Sequence, residues 1–199
     1  MTTPPSRPAV FLDKDGTLIE DVPYNVDPAL IRLAPGVGEV LRALSGAGYV
    51  LVVITNQSGV ARGLFPESAL GGVETRLREL LAAEGVTLAG FLACPHHPKG
   101  TVEEYAVECE CRKPGPGLLR RAADELGLDL TRSWMVGDIL NDVEAGRRAG
   151  CRTVLLDNGG ETEWLPGPYR TPHHTARDWA EVAAAILTAE EERHAPRTP

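Results

Sequence analysis

The sequence predicts an α/β protein: a doubly wound parallel sheet with helices on both faces. Three observations predict it. Short apolar runs recur five times along the 199 residues. Apolar stripes at helical spacing lie between them. The polar clusters able to do chemistry fall where the runs end. A short run that is apolar throughout suits a strand covered on both sides, as in a parallel sheet. Alternation of such strands with helices places crossover helices on the two faces.

The elements follow in order. Ala9-Val10-Phe11-Leu12 is the first strand. Val37, Val40, Leu41 and Leu44 are spaced as one helical face. Pro35 precedes that helix and Gly48 follows it, which suits a first turn and a left-handed residue after the last. Val50-Leu51-Val52-Val53-Ile54 is the strongest strand, followed by a helix bearing Val73, Leu77, Leu80 and Leu81. Phe91-Leu92-Ala93 is a weaker third strand, and Leu118, Ala122 and Leu126 mark the next helix, closed by Gly127. Trp134-Met135-Val136 is the fourth strand, before a short helix over Asp142–Ala149 that Gly150 ends. Thr153-Val154-Leu155-Leu156 is the fifth, and Trp179, Val182, Ala183, Ile186 and Leu187 mark the last helix. One domain over residues 8–189 is expected. The ends, 1–7 and 190–199, are expected to be flexible. The motifs are spaced closely enough to leave little chain for a large cap domain.

Composition excludes some functions. Twenty Lys and Arg against 28 Asp and Glu give a net charge of −8. A surface of that sign does not wrap nucleic acid or sit on anionic lipid. No apolar run approaches the roughly 20 residues of a membrane-spanning helix. Met1–Pro8 has no apolar signal core, so a cytoplasmic protein is expected. No heptad seam or long exposed apolar stretch calls for an obligate oligomer, so a monomer is expected.

The strand ends carry the chemistry, as ligand sites in doubly wound sheets do. The first strand runs into Asp13-Lys14-Asp15-Gly16-Thr17. Two carboxylates leaving one strand can converge on one cation or one reacting group; a capped Asp/Gly turn is the plainer alternative. The second strand runs into Thr55-Asn56-Gln57-Ser58-Gly59, whose hydroxyl and amides could hold phosphate oxygens or could form only a polar turn. Arg112 and Lys113 are adjacent cations just before a helix. The fourth strand ends in Gly137-Asp138, with Asp142 four residues on, where it could equally cap the following helix.

Taken in order, acid pair, Thr/Asn, Lys and acid at successive strand ends, the chain resembles the haloacid dehalogenase (HAD) superfamily of phosphohydrolases. The resemblance spans roughly Ala9 to Ile186. It implies a Rossmann-like sheet and phosphomonoester hydrolysis through an aspartyl-phosphate. Asp13 is then the nucleophile, and Asp15 the acid that protonates the leaving group and later deprotonates water. Lys113 and Thr55 would hold the transferring phosphoryl group, with Asn56 beside them. Two carboxylates facing a dianionic phosphate require a divalent cation, and Mg²⁺ suits an all-oxygen site. Its implied ligands are Asp13, the backbone carbonyl of Asp15 and Asp138, with Asp142 behind them or acting through water.

The cysteines point to a second metal. Cys94-Pro95-His96 and Cys109-Glu110-Cys111 supply four ligands, enough to close a tetrahedral structural Zn²⁺ site over the loop 94–111. Three free thiols beside a surface histidine are the alternative. His97 reads as a neighbour of the cluster, and Cys151 as a small core residue. The zinc-loop pattern and Thr55-Asn56-Gln57-Ser58-Gly59-Val60-Ala61-Arg62-Gly63 resemble the heptose-bisphosphate phosphatase family within the superfamily. That narrower resemblance implies a small phosphorylated sugar as substrate, with Arg62 and Arg112 near the phosphate that is not cleaved. Ile19 and Ile139 depart from the family pattern, where an Asn and a basic residue are common. The related histidinol-phosphate phosphatases, another sugar-phosphate phosphatase, and a non-catalytic metal-stabilised binding module are the alternatives.

Overall fold

The computed structural model describes residues 6–194. Six strands form one fully parallel sheet in the order β3-β2-β1-β4-β5-β6. They are β1 (Ala9–Leu12), β2 (Val50–Asn56), β3 (Gly90–Cys94), β4 (Trp134–Gly137), β5 (Arg152–Leu156) and β6 (His174–Ala176). The helices are α1 (Val37–Gly46), α2 (Leu70–Ala83), α3 (Gly117–Leu126), α4 (Leu140–Ala149) and α5 (Trp179–His194).

The period of two in β1 divides the core. Val10 and Leu12 pack with α1, α2 and α5 through Leu41, Leu77, Val182 and Ile186. Ala9 and Phe11 point the other way, onto Leu118, Leu119 and Ala122 of α3 and Ala145 of α4. Every residue of β1 is fully buried, which is why the run carries no polar alternation. Gly48 has φ 91°, in the left-handed region that closes α1, as the sequence predicts. Cys151 lies in the second core cluster, also as expected.

The strand order reverses between β1 and β4, so the loops leaving them part to opposite sides and open a crevice at their carboxyl ends. Leu12 pairs with Val53 on one side and Val136 on the other, which sets Asp13 level with Gly137, one residue before Asp138, at the carboxyl end of the sheet.

The structure corrects some expectations. A sixth strand, β6, extends the sheet; it is short, with Thr175 exposed, and so shows no apolar run. Helix α5 continues to His194, through Glu190, where a flexible end was expected. Arg7 is tied in as well: its carbonyl accepts the Asp129 N–H at 2.9 Å. The remainder of both expected flexible ends, 1–5 and 195–199, lies outside the described residues.

Candidate active site

Asp13 leaves β1 with its N–H donated to the Val136 carbonyl at 2.9 Å, which ties it to β4. Lys113 reaches the same point from the turn before α3 and is only 2% exposed. Its ammonium pairs with Asp13, with Asp142 Oδ1 at 2.6 Å and with the Ile54 carbonyl at 3.0 Å. Asp13, Asp138 and Asp142 present carboxylate oxygens that all lie within 4.8 Å of one another.

Burial of so much like charge has a direct electrostatic cost. Desolvation pushes the Asp13 carboxyl up to about 8; Lys113 opposes this, and Asp142, Asp138 and Asp15 add to it. Burial, then Asp142, lifts Asp138 to about 7. Burial alone would lower the Lys113 pKa, but Asp13 and Asp142 outweigh it and hold the ammonium charged. One buried cation thus faces three carboxylates. This all-oxygen, net negative donor set fits a divalent hard cation such as Mg²⁺.

Asp142 reconciles its two readings. Its Oδ2 accepts the Ile139 N–H at 3.3 Å at the start of α4, while its Oδ1 meets Lys113. It is both a helix cap and a partner of the buried lysine.

Asp15 is partly exposed at the mouth of the site. It pairs with Lys14, itself 1% exposed, and accepts the Gln57 amide N–H at 2.9 Å. Gln57 also donates to Thr55 Oγ1 at 2.8 Å, leaving the hydroxyl hydrogen of the buried Thr55 available to an anion.

Asn56 differs from expectation. Its Nδ2 donates to the Lys113 carbonyl and its Oδ1 accepts the Lys113 N–H, both at 3.0 Å. The amide that was expected to hold phosphate instead fixes the backbone of the lysine. Sequence reasoning also missed Gln57, Lys14 and Thr17. Thr17 is fully buried and donates to Asp138 Oδ1 at 3.2 Å. The signal lay in the motif runs themselves, since all three flank the residues singled out. Gly16, at φ 73°, is required twice: by its left-handed backbone and because a Cβ there would overlap the Asp138 carboxylate.

Arg62 and Arg112 lie at the rim. Arg62 Nη2 stands 3.4 Å from His97 Nε2, and Arg112 donates to the His96 carbonyl at 3.2 Å. Burial, then the nearby charges of Arg112, Arg62 and Lys99, holds the His97 pKa below its ordinary value. The rim is therefore a local basic patch on an acidic protein. Of the departures, Ile19 is packed into the core and Ile139 is half-buried ahead of α4.

The side chains of Cys94, His96, Cys109 and Cys111 come together. Cys94 and Cys111 Sγ are 2.9 Å apart, Cys109 and Cys111 3.1 Å, Cys94 and Cys109 3.6 Å, and His96 Nδ1 lies 3.3 Å from Cys111 Sγ. A tetrahedral Zn–thiolate bond of about 2.3 Å sets ligand separations somewhat under about 4 Å, so this S₃N set fits Zn²⁺. His97 is outside the set: its Nδ1 accepts the Lys99 N–H. The loop also docks on the second strand-end turn, with Thr101 and Val102 N–H both donating to the Ala61 carbonyl at 2.7 and 2.9 Å.

An acid pair, a buried lysine and a second acidic strand tip on a reversing parallel sheet are the equipment of HAD-like phosphohydrolases. Residues 110–182 match the HAD-hydrolase-like family model. The chain is 41% identical over 182 residues to the D-glycero-β-D-manno-heptose-1,7-bisphosphate 7-phosphatase of Salmonella typhi, covering 92% of this chain and 94% of that protein. A HAD-like phosphatase from Mesorhizobium loti superposes with a TM-score of 0.81 at 41% identity, covering 94% of this chain and 90% of that one. The D,D-heptose 1,7-bisphosphate phosphatase of B. bronchiseptica, solved with magnesium and phosphate, gives 0.73 at 32% identity, covering 92% and 99%. The chain is a phosphatase and belongs to the D-glycero-β-D-manno-heptose-1,7-bisphosphate 7-phosphatase family.

Proposed function

We propose that this chain removes the 7-phosphate of D-glycero-D-manno-heptose 1,7-bisphosphate. The observation that carries the chemistry is the convergence of Asp13, Lys113 and Asp138 at the crevice, with Asp15 at its mouth. The family of its relatives carries the substrate.

An Asp13 oxygen attacks phosphorus as the bond to the sugar oxygen breaks. Asp15 gives its proton to the departing alkoxide. Water then attacks the aspartyl-phosphate, its proton passing to Asp15, and the Asp13–phosphorus bond breaks to release inorganic phosphate. Gln57 and Lys14 hold the Asp15 carboxyl at the mouth, where a leaving group departs. Lys113 offsets charge on the phosphoryl oxygens and Thr55 donates to one of them. Asp13, the Asp15 carbonyl and Asp138 would hold a Mg²⁺, which supplies electrostatic stabilisation to the transferring phosphoryl group. Arg62 and Arg112 would receive the phosphate that stays on the sugar. Zn²⁺ on Cys94, His96, Cys109 and Cys111 would be structural, since four protein ligands fill a tetrahedral site. Thiols grouped for metal rather than paired as disulfides suit the cytoplasm.

A substrate panel tests the reading. Phosphate release is expected to be fastest from heptose bisphosphate, and Arg62→Ala or Arg112→Ala should raise KM for the bisphosphate more than for a monophosphate. Preference for histidinol phosphate would overturn the substrate. No release from any phosphomonoester with Mg²⁺ present would overturn the mechanism.

The raised carboxyls give a second expected result. Asp13 and Asp138 titrate in the folded protein near 8 and 7, against 3.8 unfolded. Between those values the folded state keeps protons that the unfolded state has released. Metal-free stability is therefore fullest below about pH 4 and falls as pH rises through 7 and 8. A cation binds the deprotonated oxygens and reverses the loss. The Tm gain from added Mg²⁺ should be larger at pH 8 than at pH 6; an equal gain at both would sink the cation assignment.

A further inference from the structure

The connection from β5 to β6, residues 157–173, carries none of the phosphatase motifs, yet it returns to the site at three points. Asn158 Nδ2 donates to the Gly16 carbonyl at 2.7 Å. Gly160 lies so close to Asp138 that a Cβ there would overlap the carboxylate. Glu161 Oε2 accepts the Leu140 N–H at 2.6 Å, and its Oε1 accepts the Glu163 N–H at 2.7 Å. The far end of the loop is fastened to α4, where Arg170 Nη1 donates to Asn141 Oδ1 at 2.9 Å and to Glu144 Oε2 at 2.8 Å.

These contacts settle a competition. The first N–H groups of a helix lack internal partners and sit at the positive end of its dipole, so they draw any nearby anion. Asp138 stands two residues before the first residue of α4 and is such an anion. Asp142 takes the Ile139 N–H and Glu161 takes the Leu140 N–H. With these two donors taken, the Asp138 carboxylate keeps its own backbone N–H and the Thr17 hydroxyl as partners and is free to meet a cation. Asn158 meanwhile fixes the peptide next to the Asp15 carbonyl.

We propose that Asn158, Gly160 and Glu161 are positioning residues that set the affinity of the site for its divalent cation, by aiming Asp138 and holding the Asp15–Gly16 turn. The proposal rests on the assignment of Mg²⁺ to Asp13, Asp15 and Asp138.

The test is titration of Mg²⁺ alone into the Mg²⁺-free full chain, read by Tm and by calorimetry, alongside the Mg²⁺ dependence of turnover. The wild type should show a saturable Tm rise that Asp138→Asn removes. Absence of any rise in the wild type overturns the Mg²⁺ assignment and the proposal together. Given that rise, Asn158→Ala, Gly160→Ala and Glu161→Ala should each move the midpoint to about tenfold higher Mg²⁺ or beyond, as loss of groups that orient metal ligands does. Their kcat at saturating Mg²⁺ should be retained. Glu161→Gln keeps an acceptor for the Leu140 N–H and should return the midpoint toward that of the wild type. A lower Tm without Mg²⁺ but an unmoved midpoint, or a Glu161→Gln midpoint as poor as that of Glu161→Ala, overturns the proposal alone.

Discussion

Asp13→Asn is expected to abolish turnover while leaving the protein folded. The amide matches the carboxylate in shape but cannot form the acyl phosphate, and loss of a covalent nucleophile lowers kcat by roughly 10⁴-fold or more. The same change should have the opposite effect on stability. Burial drives the Asp13 carboxyl up to about 8, so the wild type pays for ionising it as the pH rises. The neutral amide does not ionise. Lys113 keeps Asp142 at 2.6 Å as its counter-charge. In Mg²⁺-free buffer at pH 8 to 9 the variant should therefore melt above the wild type, and the gap should close toward pH 5. Steady-state kinetics and thermal melts check the two halves. Full activity in the variant would remove Asp13 as nucleophile.

Removal of one of the four proposed zinc ligands is expected to have the largest effect on the fold near the site. In Cys109→Ala the chain should purify without zinc and lose more than about 4 kcal/mol of stability, the range in which loss of a structural metal falls. Activity should collapse with it, because Cys111 is followed directly by Arg112 and Lys113, and Cys94 ends the strand whose carbonyl accepts the Gln57 N–H at 2.8 Å. Zinc content, denaturant unfolding and proteolysis between 94 and 111 are the measurements. Cys151→Ala is the control. That thiol lies in the core beneath α3 and α4, so the variant should keep its zinc. A Cys109→Ala protein that stays active and resists protease would make the cluster three incidental thiols.

The sheet was legible because β1, β2, β4 and β5 are almost wholly buried and so read as apolar runs; β3, at the sheet edge and only partly buried, gives the weaker run. The short edge strand β6 was not, since an exposed residue at its centre leaves no run to read. Asp13, Asp15 and Asp138 were legible because each follows a strand end, whereas Lys113 stands in the turn before α3 and Asp142 in the first turn of α4. Their supporting partners were harder. Asn56 offers the same amide whether it faces phosphate or a backbone, and only the approach of Lys113 to within 3.0 Å decides it. Gln57 and Thr17 act across 42 and 121 positions of sequence, onto Asp15 and Asp138. Asn158 and Glu161 lie in a loop without periodicity, so no local pattern reports the contacts they make.

The central position of β1 has a consequence for synthesis on the ribosome. Its two neighbours arrive at very different times: β2 begins at Val50, whereas β4 begins at Trp134. A nascent chain that has exposed only the first three strands already contains Asp13, Asp15 and Thr55, but has no Asp138 or Asp142 to share a cation with them. Its half-built sheet also presents β1 with one edge unpaired, an edge open to another chain until β4 emerges. Activity can therefore begin only after most of the polypeptide has left the exit tunnel. Premature termination before β4 would yield fragments that carry Asp13 and a sticky edge, but no complete site.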